Sequence, residues 1–160
     1  LLAGSLDITE GKIDWSIDNT PVDDSIVFRS ISITAPYLEL IEEMTASEFL
    51  HFHIQFKPSL SGINTQSIIK EIGLGDSANK QIRYYSSGMK QRLKLAQAIF
   101  SDTPLVLLDE PCTNLDENGY QLYYSLINQY CRERLVIVSS NEEKEFSFCK
   151  EKINIENFKR

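Results

Sequence analysis

The sequence predicts an α/β domain: a parallel sheet flanked by helices, with a small helical lobe and a stretch of short, partly antiparallel strands. Three observations carry this. Residues 105–108, LVLL, are four consecutive apolar positions between Pro104 and Asp109, the pattern of a strand buried on both faces in a parallel sheet covered by helices. A second such run follows at residues 135–138. Between the two, Leu122, Leu126, Ile127 and Tyr130 recur at helical spacing, which makes one βαβ unit, expected to be right-handed.

The other elements follow in chain order. Residues 1–4, LLAG, read as the end of a helix stopped by Gly4, because glycine enters the left-handed conformation cheaply. Residues 11–33 alternate apolar and polar positions around an Asn19-Thr20-Pro21 turn, which suggests short strands. From Thr45 to Phe56 the spacing turns helical, with Thr45 or Ser47 available as the N-cap. Residues 59–62 form a loop, and residues 64–74, NTQSIIKEIGL, a short helix that ends near Gly73. Residues 87–100 predict an amphipathic helix with Met89, Leu93, Ala96 and Phe100 on one face and Lys90 and Lys94 on another. The chain therefore divides into a strand region (1–44), a helical lobe (45–84) and a segment (85–160) that holds the amphipathic helix and the βαβ unit. No internal repeat or low-complexity tract is visible.

Composition excludes several classes of function. A chain of 160 residues with 42% hydrophobic content buries a core without metals or disulfides. A net charge of −7 and a pI near 4.9 argue against nucleic acid as the partner, so any polyanion must be met locally. Cys112, Cys131 and Cys149 are odd in number and lack paired metal spacing, which fits free thiols in a reducing compartment. No apolar run approaches the ~20 residues of a membrane span. The amino end lacks the basic start of a signal peptide, and it lacks an initiator Met.

Local chemistry concentrates in the second half. Asp109 and Glu110 end the 105–108 strand, where carboxylates face the crevice in which open α/β sheets bind ligands. There an Asp can hold Mg²⁺ through its water shell and a Glu can polarise an attacking water. Ser86, Ser87 and Gly88 open a helix, where free amides and the helix dipole attract anions and glycine permits close approach. Residues 80–94 carry five basic side chains (Lys80, Arg83, Lys90, Arg92 and Lys94) and no acidic one, a local positive patch on an acidic chain. Taken singly, each feature also has a plain structural reading: an acidic turn, an N-cap serine, a solvated helix face.

Together, YSSGMKQRLKLAQAI (residues 85–99), LVLLDEP (105–111) and TNLD (113–116) resemble the ATP-binding-cassette ATPases. In that family a signature motif precedes the Walker B strand, and a D-loop follows it. Gln91 and Arg92 after the signature, Pro111 after Glu110, and Leu115-Asp116 in the D-loop all fit. Residues 1–13 are similar to the segment after the phosphate-binding helix, and residues 31–50 to the Q-loop and the start of the helical lobe. The resemblance implies a P-loop NTPase-like fold, ATP and Mg²⁺ as cofactors, and ATP hydrolysis between two ATPase domains in a homodimer or heterodimer. It further implies a transmembrane permease subunit as partner and a cytoplasmic position on the inner face of the cell membrane. Residue by residue, it implies Asp109 as the Mg²⁺ ligand, Glu110 as the general base, Ser86, Ser87 and Gly88 as γ-phosphate ligands in trans, and Asp116 as the link between sites. Phe49, Phe52, Phe56 and Tyr37 are the expected apolar anchors toward the permease.

The pattern departs from the family in three places. No G-x-x-x-x-G-K-[ST] loop is present: Gly11-Lys12 is followed by Ile13, and Leu6 stands where the first Gly belongs. The expectation is a chain whose amino end is missing, inactive alone. Pro36 occupies the slot of the Q-loop Gln, and Asn141 that of the switch His, where it donates a hydrogen bond but carries no charge. These two losses favour, as the alternative, a non-hydrolysing regulatory or interaction module. A third reading, an ABC ATPase of repair or translation, expects two cassettes or long insertions, and neither is visible. His51 and His53 read as surface or packing residues, and Cys112 as a packed thiol.

Overall fold

The computed structural model describes residues 10–158; the helix end expected at residues 1–4 lies outside them. The first described elements form a hairpin, β1 (Trp15–Ile17) antiparallel to β2 (Thr20–Val22). Its turn is Asp18-Asn19 instead of Asn-Thr-Pro, with φ at 49° and 62°. A two-residue hairpin of the right twist needs left-handed backbone, and short Asp and Asn side chains tolerate it. Pro21 falls inside β2, where a two-stranded ribbon makes its missing N–H harmless.

β3 (Ile31–Thr34) leaves this hairpin and runs parallel to β4 (Leu105–Asp109), which pairs parallel with β5 (Leu135–Ser139) in the order β3-β4-β5. The antiparallel region expected over residues 11–33 thus stops at β2. Central β4 alternates between two cores. Val106 and Leu108, 0% and 1% exposed, pack toward the helices, whereas Leu105 and Leu107 meet Val27 and Ile31 on the other face. β5 is equally apolar but outermost among the described residues, and its Leu135 is 62% exposed. Burial on both faces therefore holds for β4 and fails for β5, because a strand's burial is set by neighbours its own pattern does not contain.

In the helical lobe, α1 (Ala46–Phe56) opens with a capping box. Thr45 Oγ1 accepts the Glu48 N–H at 3.2 Å, and Glu48 Oε2 accepts the Thr45 N–H at 2.8 Å; an N-cap of this kind stabilises a helix by about 1 kcal/mol. α2 (Thr65–Glu71) is capped by Asn64, and the chain turns away through Gly73 at φ +67°. Phe49 and Leu50 join Ile68, Ile69 and Ile72 in the core. Phe52 and Phe56 remain outside, ring edge against ring face at 5.0 Å. Phe49 is therefore a core residue and not a surface anchor, since the inward face of α1 is the one that meets α2.

α3 (Ser87–Ile99) touches β3, β4, α4 (Glu117–Tyr130) and α1. With neighbours on several sides it buries Gln91, Leu95, Ala98 and Ile99 as well as the expected Leu93, Ala96 and Phe100, while Met89 is only partly covered. On α4, Leu126 and Ile127 are buried as the stripe predicts, and Tyr123, outside that stripe, is fully buried too. Arg134 ties the carboxyl end of α3 to the start of the sheet, donating to the carbonyls of Ile99 (2.6 Å), Thr103 (2.6 Å) and Ser101 (2.8 Å).

Candidate functional site

β4 delivers Asp109, half-buried, in register with Ser139 of β5. The chain then turns sharply. Glu110 is exposed, has φ +41°, and donates its N–H to the Ser139 carbonyl at 2.9 Å. Left-handed backbone at such a residue costs on the order of 1 kcal/mol and is held only when the surroundings over-determine it. Asn141, exposed, lies two residues beyond the end of β5. Asp109, Glu110 and the turn carrying Asn141 thus share the carboxyl end of one sheet. Thr34, in register with Leu108, adds a buried hydroxyl with no hydrogen-bond partner at that same end.

Ser86 caps α3, its Oγ accepting the Met89 N–H at 3.2 Å. The Ser87 and Gly88 amides are left as the unpaired donors of the first turn among the described residues, the arrangement that accepts an anion. The closest approach that Gly88 permits is made by the chain itself: a Cβ there would stand 3.1 Å from the Asn114 carbonyl oxygen. Buried Gln91 donates to the Pro111 carbonyl at 2.6 Å. The start of α3 and the loop after Glu110 are therefore one connected piece. Asp116 caps α4, Oδ1 accepting the Gly119 N–H at 2.8 Å.

The positive patch expected over residues 80–94 is largely spent inside the chain. Lys90 pairs with Glu42, Arg83 stands 4.0 Å from Glu43, Arg92 donates to the Ile72 carbonyl, and Lys94 to the Pro36 carbonyl at 2.7 Å. Burial, with Lys90 nearby, pushes the Lys94 ammonium below its ordinary value. Pro36 and Glu42 face Ser87, Lys90, Lys94 and Asn114 across a cleft of about 370 Å³. His53 Nε2 lies 2.9 Å from Ser101 Oγ and is held below the ordinary histidine value, chiefly by burial; His51 is exposed. Cys112 is buried and its thiol is pushed well up, first by burial and then by Glu145 and Glu142, which leaves it without nucleophilic character.

Sequence reasoning missed the residues that hold the segment after Asn141. Three tyrosines of α4 reach it: Tyr120 Oη donates to Glu142 Oε2 at 2.7 Å, Tyr123 Oη to the Glu145 carbonyl at 2.8 Å, and Tyr124 Oη to the Lys144 carbonyl. Glu145 itself is buried and accepts the Cys112 N–H on Oε1 at 2.8 Å. The run of tyrosines at 120, 123 and 124 is a visible signal; nothing local marks Glu145.

Among the described residues no three His, Cys, Asp or Glu side chains come together as a metal cage. A Mg²⁺ carried in on phosphates needs only one or two carboxylates, and Asp109 with Glu110 supplies that much. A parallel sheet that ends in paired carboxylates, with the loop after them tied to the first turns of a helix, defines an α/β domain whose ligand crevice lies at the carboxyl end of its strands.

The comparisons with known proteins agree. The family model described as ABC transporter matches residues 1–113. An uncharacterized ABC transporter ATP-binding protein of Bacillus subtilis, YxlF, is 32% identical over 88% of this chain and 47% of its own. The cytochrome c biogenesis ATP-binding export protein CcmA of Xylella fastidiosa is 34% identical over 81% of this chain and 58% of its own. The chain thus spans under two thirds of the length of both. In fold, an ABC transporter ATP-binding protein from Pyrococcus furiosus superposes over 89% of this chain and 70% of its own with a TM-score of 0.73 at 19% identity. The chain belongs to the ABC transporter family, as an ATP-binding domain. Among the described residues no helix is long and apolar enough to cross a membrane.

Proposed function

We propose that this chain supplies part of a composite ATP-hydrolysing site in an ABC transporter, working beside a second ATPase domain and driving a membrane-embedded permease from the cytoplasmic face. The observation that carries this reading is the convergence of Asp109, Glu110 and the Asn141 turn at the carboxyl end of the sheet, joined through residues 111–114 to the open first turn of α3. Bound ATP with Mg²⁺ would supply the labile phosphoanhydride and neutralise charge as it breaks. Asp109 would hold the ion, Glu110 would take a proton from the attacking water, and Asn141 would donate a hydrogen bond. The amides of Ser87 and Gly88, ordered by the Ser86 cap, would receive the γ-phosphate of the partner domain's nucleotide, and Asp116 would couple the two sites. Of the described residues, 10–44, 45–84 and 85–158 would act as strand region, helical lobe and signature-to-switch segment, with exposed Phe52, Phe56 and Tyr37 toward the permease.

The test is Mg²⁺-dependent ATP hydrolysis by the intact protein carrying this chain. Replacing Glu110 with Gln should lower it about 100-fold or more, the usual share of a general base; an equal rate in the two proteins removes the catalytic role. The 160-residue chain itself, with no G-x-x-x-x-G-K-[ST] loop, should bind a fluorescent ATP analogue weakly, and tight saturable binding would contradict this account. A second reading, a non-hydrolysing interaction module, is favoured by Pro36: its carbonyl is committed to Lys94 and it has no side-chain amide to offer.

A further inference from the structure

Glu145 is 3% exposed, yet it lies on a short 3₁₀ turn, residues 143–146, in an otherwise exposed segment. One carboxyl oxygen, Oε1, accepts the Cys112 N–H at 2.8 Å; the other, Oε2, is buried with no well-formed hydrogen bond, the Ser140 hydroxyl of the same loop being the polar group nearest to acting on the carboxyl. A buried carboxyl in that state is retained against a considerable desolvation cost, so the bond it does make must be worth keeping. Cys112 lies two residues after Glu110, and Glu145 four residues after Asn141. The same turn is pinned from behind by Tyr123 Oη on the Glu145 carbonyl and by Tyr120 Oη on Glu142. Glu110 N–H on the Ser139 carbonyl closes the other side. The two loops that leave β4 and β5 are therefore cross-linked twice, once by backbone and once by this single side chain.

We propose that Glu145 is a positioning residue that locks the loop carrying Glu110 to the turn carrying Asn141, so that both groups present as a unit. This rests on the reading of Glu110 and Asn141 as members of the hydrolytic site. The lock acts through acceptance of an amide proton and needs no charge: a glutamine carbonyl can make the same bond, whereas an apolar side chain of similar length cannot.

The experiment is amide hydrogen exchange by NMR on the full chain, comparing wild type, Glu145→Gln and Glu145→Met. In the Met variant the Cys112 amide should exchange about tenfold faster, as expected for loss of one buried hydrogen bond. The Glu110 and Asn141 amide resonances should move, and α3 should keep its protection. Gln should restore all three amides to wild-type behaviour. The proposal is overturned if Met leaves Cys112, Glu110 and Asn141 unchanged, if Gln fails to restore them, or if both variants lose protection evenly across α3 and α4. Failure of the hydrolytic reading would show separately, as a Glu110→Gln protein that hydrolyses ATP at the wild-type rate while the exchange pattern stands.

Discussion

Two loops leave the carboxyl ends of adjacent parallel strands, and they are held in opposite ways. Residues 110–116, after β4, are built mostly from their own backbone. Left-handed φ values at Glu110 (41°) and Asn114 (64°), turn bonds from Thr113 N–H to the Glu110 carbonyl and from Leu115 N–H to the Cys112 carbonyl, and the Asp116 cap complete a tight passage into α4. Residues 140–147, after β5, make a short turn of their own but are held chiefly from outside, by three tyrosines of α4 and by the Glu145 carboxyl on the Cys112 amide. A loop with its own turn and cap chemistry carries its conformation in its sequence. A loop clamped by distant side chains is only as ordered as the clamp.

The strongest way to break that comparison is to remove the clamp at its core. Tyr123→Ala empties a fully buried ring site and should cost about 3–5 kcal/mol. Tyr123→Phe keeps the ring but leaves the Glu145 carbonyl unmet and should cost about 1 kcal/mol. Urea denaturation gives both numbers, and a Tyr123→Phe protein as stable as wild type would deny the hydroxyl any part in the clamp. The self-built loop should respond more mildly. Asp116→Ala removes the cap on the Gly119 amide and should cost about 1 kcal/mol, with the exchange of amides 142–147 unchanged; spread of the effect to those residues would mean that the cap also sets the position of the Cys112 amide that meets Glu145.

The smallest expected effect is on pH dependence. Burial raises the Glu145 carboxyl above its ordinary value of 4.5, opposed by the Ser140 hydroxyl and the Cys112 N–H and reinforced by Glu142 and Glu110. A folded-state value above the unfolded one means that the native state holds the proton longer. Stability linked to Glu145 is therefore complete below 4.5 and is lost as pH rises through the raised value. Urea midpoints measured from about pH 4 to about pH 8 should show this decline in wild type and a flatter profile in Glu145→Gln. Parallel profiles would place the titration elsewhere.

The contrast between the loops also marks what could be read without coordinates. The Thr45–Glu48 capping box joins residues three positions apart, the Ser86 cap on Met89 does the same, and β4 announces itself by four apolar residues in a row. Each signal fits inside one element. By contrast, Gln91 reaches Pro111 across 20 positions, Glu145 reaches Cys112 across 33, and Lys94 reaches Pro36 across 58. The basic patch at residues 80–94 looked available for an anion until Glu42, Glu43 and two carbonyls claimed most of it. β5 carried the same apolar run as β4 and lies half in solvent.

By itself, then, the sequence determined the periodicities, the caps and the order of carboxylates and glycines along the chain, because those depend on backbone stereochemistry and on residues within a turn of one another. Only the tertiary structure decided which apolar strand is central, which lysines are already engaged and which buried carboxyl joins the two loops. Burial and desolvation are properties of all the neighbours at once, and those neighbours are set by how α3, α4 and the sheet pack together.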